Sequence, residues 1–248
     1  MDNFEGVDRL FFELASDGRL GILFELQTKD LKIQEIARKL DLTHTEAFRQ
    51  LQRLRDALLI EKHPDASYSL TQNGKLALEL TDSFKFVSKF KNVLMTRDIQ
   101  RLPYLFKNSI GELSSAILST DTNEMIDNAE QLIVGAEKFL WIMAQRPLGN
   151  LNMKAIETGN KGVAIKLIVD EANAKFYENT PRIKGFEKRV VPVVPAIMLV
   201  SDKAAGINLP SLDNRGDSAV FYGTDQRVLR WASDLFLYFW QQGKQYSQ

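Results

Sequence analysis

The stretch Lys32–Ile60, KIQEIARKLDLTHTEAFRQLQRLRDALLI, decides how the rest of the chain is read. Its first nine residues place Ile33, Ile36, Ala37 and Leu40 at the i, i+3, i+4, i+7 spacing of one helix face. Asp41 and Leu42 interrupt that pattern. Thr43 then opens a second helix: a threonine with Glu46 three residues on is the reciprocal capping pattern of a helix N-terminus. The second helix turns Ala47, Leu51, Leu54 and one of Leu58 or Leu59 inward. It turns His44, Thr45, Arg49, Gln50, Gln52 and Arg53 outward, and Phe48 is expected to pack on the preceding helix rather than reach a thymine methyl. Two short helices joined so closely form a helix-turn-helix candidate. Spacing alone does not separate this from any other antiparallel helix pair.

The residues downstream add a second sign. Leu59-Ile60-Glu61-Lys62 runs from apolar to charged, His63-Pro64-Asp65-Ala66 is turn material, and Ser67-Tyr68-Ser69-Leu70-Thr71 alternates as a strand does. A two-stranded hairpin directly behind the second helix is a wing, with Lys62 and His63 near its tip. Helix resumes over Gln72–Leu80. Upstream, Val7, Leu10, Phe11, Leu14, Ile22 and Leu26 suit one or two helices broken near Asp17-Gly18.

Ile36-Ala37-Arg38-Lys39-Leu40-Asp41-Leu42-Thr43 and Arg49–Ile60, followed by Leu70-Thr71-Gln72-Asn73-Gly74, resemble the winged helix-turn-helix of the ArsR-like class. The pattern departs at Leu58, where that class usually has the glycine that ends the recognition helix. The resemblance implies major-groove contact. Arginine matches guanine O6/N7 and glutamine matches adenine N6/N7, so His44, Thr45, Arg49, Gln50, Gln52, Arg53, Lys62 and His63 are the candidate DNA-binding residues. The alternative is an ordinary solvated helix face.

Composition bounds the chemistry. The 248 residues are 44% hydrophobic and 26% charged, a globular balance of one large or two modest domains. There is no cysteine, which excludes disulfides, thiolate metal sites and cysteine nucleophiles. Both histidines, His44 and His63, precede Pro64, so the common routes of proton transfer and metal binding are closed beyond it. No metal and no cofactor are expected. The longest apolar run, Val190–Val200, has eleven residues including two prolines, too short for a membrane span. The first twenty residues are too charged for a secretory signal, and the chain is expected to be cytoplasmic. Net charge is zero overall but −3 over residues 1–80 and +4 over residues 81–110, so a DNA-binding reading needs a local basic face rather than bulk charge.

Leu80, Phe84, Val87, Phe90 or Lys91, and Leu94 form a helical stripe with Phe86 beside it. It suits a dimer seam or packing on the chain's own second domain. Leu102-Pro103 begins a further helix carrying Leu105, Phe106, Ile110, Leu113 and Ile117. From about Asn123, helix and strand alternate. Helices are expected over Met125–Ala136, Met153–Gly159, Ala172–Tyr177 and Gln226–Gln242. Strands are expected over Phe139–Ala144, Val163–Val169, Lys188–Val194, Ala196–Val200, Ala205–Leu209 and Ala219–Tyr222. The early spacing implies parallel pairing through crossovers, and the later strands follow one another too closely for that.

Arg101-Leu102-Pro103 with Ile110-Gly111-Glu112-Leu113, Ala136–Ile142, Gly162–Lys166 and Trp231–Phe236 resemble the regulatory domain of archaeal regulators of the methanogenesis and sugar-operon (TrmB-type) groups. The resemblance implies a phospholipase D-like α/β fold used for ligand sensing. That enzyme fold works through His-x-Lys motifs, and no histidine follows His63.

The expected architecture is therefore α+β: a winged helix-turn-helix over 1–80, a helical linker or dimerisation segment over 81–118, and an α/β mixed-sheet effector domain over 119–248. Ligands of open α/β sheets bind beyond the carboxyl ends of parallel strands. Gln145, Arg146, Asp170 and Lys203 are accordingly the candidate effector residues, with Asp202 beside them and Trp141, Tyr222 and Trp231 as either wall or core. The leading function is a homodimeric transcription regulator, not an enzyme, that binds double-stranded DNA and an unknown small-molecule effector without touching membrane. A protein-interaction adaptor of the transcription machinery and an enzyme with a histidine-free site are the alternatives.

Overall fold

In a computed structural model, residues 6–177, 184–213 and 219–245 are described. The contacts divide the chain into two units between Asp82 and Ser83.

The first unit begins with α1 (Val7–Leu14) and α2 (Asp17–Thr28), the break falling at Ala15-Ser16. A two-residue strand, β1 (Leu31–Lys32), leads to α3 (Ile33–Lys39) and α4 (His44–Asp56). Strands β2 (Ile60–Lys62) and β3 (Ser67–Leu70) form the wing hairpin, and β1 joins it to give the antiparallel order β1-β3-β2. The apolar spacings converge as expected. Ile22, Leu23 and Leu26 of α2, Ile36 of α3, Leu51 and Leu54 of α4, and Leu59, Ile60, Tyr68 and Leu70 of the hairpin make one core.

α5 (Gln72–Leu94) starts in the first unit and ends in the second, with a kink at Phe90. Its start explains the glycine at position 74. A β-carbon there would lie 2.0 Å from the Leu59 carbonyl oxygen, inside any contact real atoms allow. Thr71 sits at the same crossing: its hydroxyl donates to the Leu58 carbonyl (2.7 Å) and accepts from the Gly74 amide (3.0 Å).

In the second unit, α5 is followed by the short α6 (Tyr104–Asn108) and a single 3₁₀ turn over Ile110–Leu113. The one long helix expected after Pro103 therefore does not form. Ile117, expected on it, lies instead on an edge strand, β4 (Ile117–Ser119). Then come α7 (Thr122–Gly135), β5 (Phe139–Met143), α8 (Leu151–Asn160) and β6 (Ala164–Asp170). Four strands follow, β7 (Phe186–Val191), β8 (Ile197–Ser201), β9 (Ala205–Asn208) and β10 (Val220–Gly223). The chain closes with α9 (Gln226–Gln242) and β11 (Lys244–Gln245). The expected helix at Ala172–Tyr177 is a 3₁₀ turn over Ala174–Tyr177.

The eight-stranded sheet runs β11-β7-β6-β5-β8-β9-β10-β4. β5, β6 and β7 are parallel, and the remaining pairings are antiparallel. The fold is thus α+β with a mixed sheet. Alternation along the strands separates two cores. Met143, Ile168, Met198, Val200, Ile207 and Phe221 pack with α9 and with Phe86, Phe90, Leu102 and Phe106. Leu140, Ile142, Leu167, Val169 and Leu199 pack with Leu132 and Ile133 of α7 and Ala155 of α8. Within residues 81–118, expected as a helical linker or dimerisation segment that could also pack on the second domain, Phe86 to Leu113 give this unit six large core side chains. Among the described residues no helix is long and apolar enough to cross a membrane.

Candidate nucleic-acid interface

The two ends of α4 are fixed by local hydrogen bonds. At its N-terminus the Thr43 hydroxyl accepts from the Glu46 amide (3.2 Å), and the Glu46 carboxylate accepts from the Thr43 amide (2.9 Å) and hydroxyl (2.7 Å). These bonds hold the Glu46 carboxyl below the ordinary glutamate range. Its charge is committed to the cap, where a helix N-terminus favours an anion. At the other end the Leu59 amide donates to the Leu54 carbonyl (3.0 Å) and the Leu58 amide to the Arg55 carbonyl (2.8 Å), the paired bonds of a Schellman stop. That stop needs a left-handed residue, and Leu58 takes it at φ 57° with its side chain 70% exposed. Leucine stands where the resembled motif has glycine, yet the turn keeps its form. The buried partner at the helix end is Leu59, not Leu58.

Between those ends the helix has three faces. Ala47, Leu51 and Leu54 are buried. His44, Thr45, Arg49 and Gln52 are exposed, and the first three make no side-chain hydrogen bond among the described residues. Gln52 donates to Asp56 (2.9 Å). Phe48, expected to pack on the preceding helix, is 55% exposed and stands in the same outward row. Arg55 is exposed as well, and sequence reasoning passed over it because the inward stripe alone does not set the width of the outward one.

Gln50 and Arg53 lie on the third face and are engaged within the unit. Arg53 donates through Nε and Nη2 to the two oxygens of Glu13 (3.2 and 2.7 Å), and its guanidinium lies 5.0 Å from the Phe12 ring centre. Arg19, only 6% exposed, contacts the same groups. It donates to the Glu13 and Phe12 carbonyls (2.9 and 2.7 Å) and to Gln50 Oε1 (3.1 Å), and it pairs with the Glu13 carboxylate (2.8 Å). This network fastens α1, which has no buried residue, to α2 and α4. Hydrogen bonding to Glu13 raises Arg53 above the usual arginine range.

On the wing, Lys62 is exposed with its ammonium 5.8 Å from the Tyr68 ring centre. His63 opens the turn, is half-buried, and shares a 2.7 Å hydrogen bond between Nε2 and the Ser69 hydroxyl. Asp65 braces the turn by accepting from the Ser67 amide (3.1 Å) and hydroxyl (2.7 Å), which holds its carboxyl below the ordinary range.

The four residues expected at an effector site are not brought together. Gln145 and Arg146 follow the carboxyl end of β5, and Asp170 ends the neighbouring parallel β6. β8 runs antiparallel to β5 with Ser201 opposite Leu140, so Lys203 lies at the other end of the sheet, about 13 Å of strand away. There Lys203 pairs with Glu137 (2.5 Å), and Asp202 accepts from the Glu137 and Lys138 amides (3.0 Å each). Burial works against ionised Asp202, but backbone amides of Lys138, Glu137, Asp202 and Phe139 together outweigh it and keep the carboxyl low. Asp170 is buried and caps its own turn, accepting from the Asn173 amide (2.9 Å) and side chain (2.6 Å). Arg146 is exposed, 6.0 Å from the Phe176 ring centre. Trp231 is core, donating from Nε1 to the Phe106 carbonyl (3.2 Å), and Trp141 stacks between Phe139 and Phe236. Tyr222 lines a cavity beneath α7 that also takes in Leu148 and Leu151 after β5 and Ile197 and Met198 at the start of β8, toward the carboxyl end of β5, where Met198 pairs with Met143.

No protein-family model matches the chain, and no curated protein matches it. Solved structures do. TrmBL2, an archaeal chromatin protein described as showing a novel mode of DNA binding, is 12% identical over 96% of this chain and 99% of its own, with a TM-score of 0.46. Reduced HlyU from Vibrio cholerae is 26% identical over 33% of this chain and 90% of its own, at 0.31. NucT from Helicobacter pylori is 8% identical over 53% of this chain and 99% of its own, at 0.43. All three are distant likenesses.

Proposed function

We propose that the first unit binds double-stranded DNA through α4, and that the chain is a homodimeric, ligand-responsive transcription regulator rather than an enzyme. The observation that carries the DNA reading is the outward row of α4. His44, Thr45, Phe48, Arg49 and Gln52 stand together on a helix capped at both ends, beside a wing that offers Lys62. A major groove admits such a helix, with the arginine suited to guanine, the glutamine to adenine and the phenyl ring to a thymine methyl. Arg53 and Gln50 serve this reading by holding the helix, and Arg49 and Gln52 do the reading.

Dimerisation is supported by α5, which exposes Leu76, Leu80, Phe84 and Val87 at spacings of four, four and three residues. Such a row buries itself against a copy of the same helix. For such a dimer to read two half-sites, its recognition helices must lie about 34 Å apart, one turn of DNA, on a palindromic site. One histidine-free site, Asp170 with Asp202 and Lys203, is not assembled, because the sheet holds Asp170 at the opposite end from the other two.

The test is fluorescence anisotropy with duplexes from the gene's own upstream region. Wild type is expected to bind with a steep salt dependence. Arg49→Ala with Gln52→Ala should weaken specific binding by about 10- to 100-fold while the melting temperature stays within a few degrees. Unchanged affinity in that double variant refutes the assignment, and binding without any sequence preference moves the protein to the adaptor class.

A further inference from the structure

We propose that the second unit binds an uncharged, largely apolar small molecule of one or two rings in the cavity between α7 and the β8-β9-β10 part of the sheet. The cavity holds about 250 Å³ and is partly open to solvent. Met125, Asn128 and Ala129 line it from the helix, and Leu199, Gly206 and Tyr222 line it from the sheet. An apolar cavity of roughly 150 Å³ is enough to take up benzene, so this one has room for a second ring.

Its origin is visible in α7. Leu132 and Ile133, in the C-terminal half, are fully buried against the sheet, whereas Met125, Asn128 and Ala129 in the first turns are only half-buried. Small residues keep the gap open from both sides, Ala129 above and Gly206 below. The backbone does not demand glycine at 206. A β-carbon there would meet only the Val220 side chain at 3.5 Å, an ordinary contact. Glycine also weakens a strand interior. Its absent side chain is space left for something else.

The lining chemistry selects the ligand. None of the lining residues is acidic, basic or a histidine, so a carboxylate, phosphate or ammonium would be desolvated without a partner. The Asn208 amide is occupied by the Ala219 carbonyl (2.9 Å). Asn128 and Tyr222 make no side-chain hydrogen bond among the described residues, which leaves an amide and a hydroxyl for a single polar group on the ligand. Burial raises the Tyr222 hydroxyl above its ordinary range, so it stays a neutral donor and acceptor at physiological pH. A polyhydroxylated sugar would leave most of its hydroxyls facing Leu199, Ile197 and Leu151.

The site rests on the ligand-sensing part of the proposed function and gives it a chemical class, but its test needs no DNA. The 248-residue chain is titrated with 1-naphthol by calorimetry, with 1-naphthoate and glucose as comparators. The expected result is one saturable 1-naphthol site per chain, with 1-naphthoate at least tenfold weaker and no glucose binding. Gly206→Val fills the floor of the cavity and Ala129→Leu its roof. Each should weaken 1-naphthol at least tenfold with an unchanged far-ultraviolet circular dichroism spectrum. Having two variants guards against one that fails to fold. Tyr222→Phe should cost several-fold for 1-naphthol and less for naphthalene. No saturable binding, equal binding by both filled variants, or a preference for 1-naphthoate overturns the proposal. Loss of DNA binding in a separate anisotropy assay leaves it standing, and DNA affinity that ignores bound 1-naphthol removes only the regulatory link.

Discussion

α4 and α7 start alike and end differently. Each is capped by a side-chain oxygen: Thr43 on the Glu46 amide, and Asp121 on the Asn123 and Glu124 amides (2.9 Å each). α4 then packs along its whole length, from Ala47 to Leu54, and so presents a firm outer row. α7 is fully buried only toward its C-terminal end, at Leu132 and Ile133, and is half-buried at Met125, Asn128 and Ala129 in its first half. Similar caps therefore serve opposite purposes. On the proposed functions, α4 would offer its outside to DNA and α7 the space beneath it to a ligand.

The largest expected effect comes from unseating α4's frame. Gly74→Ala drives a methyl into the Leu59 carbonyl where the wing meets α5, and should cost about 4 kcal/mol or more. Urea denaturation of the variant measures it, and a loss below about 1 kcal/mol would mean that the crossing is looser than described. Next is the asymmetry of α7. Leu132→Ala opens a cavity in a filled core and should cost about 3 kcal/mol, whereas Met125→Ala enlarges a space already open and should cost under about 1 kcal/mol. Equal losses at the two positions would erase the contrast between the helices. The smallest effect is a gain. Leu58→Gly relieves a left-handed leucine and removes an exposed apolar side chain, for about 1 kcal/mol of added stability by thermal melting. A loss of stability would show instead that the Leu58 side chain contributes to the helix stop.

Local features were legible and directional ones were not. The Thr43–Glu46 cap reads directly from four residues, and α9 falls on its expected span, Gln226–Gln242, because its apolar period is unbroken. The wing followed from turn residues between two short runs. β4 was missed since an edge strand of three residues with Ile117 pointing outward leaves no alternating signal. The long helix expected after Pro103 breaks at Ser109, where no proline announces the stop. Lys203 was grouped with Arg146 because nothing within Ile197–Ser201 states which way that strand runs. The separate fates of Arg49 and Arg53 were hidden too. They depend on Glu13, forty residues from Arg53 along the chain. The cavity needed both the half-buried first turns of α7 and the missing side chain at 206, which no single segment contains.

Glu13 carries a last consequence. Counterion release on a polyanion counts only cations that are available to it, and this carboxylate has already claimed Arg53 and Arg19. On the proposed DNA-binding function, the acidic side chain on the helix with no buried residue would limit how indiscriminately the module clings to any duplex. Neutralising Glu13 would trade that restraint for a stickier surface and a looser α1, so promiscuity and fragility would arrive together.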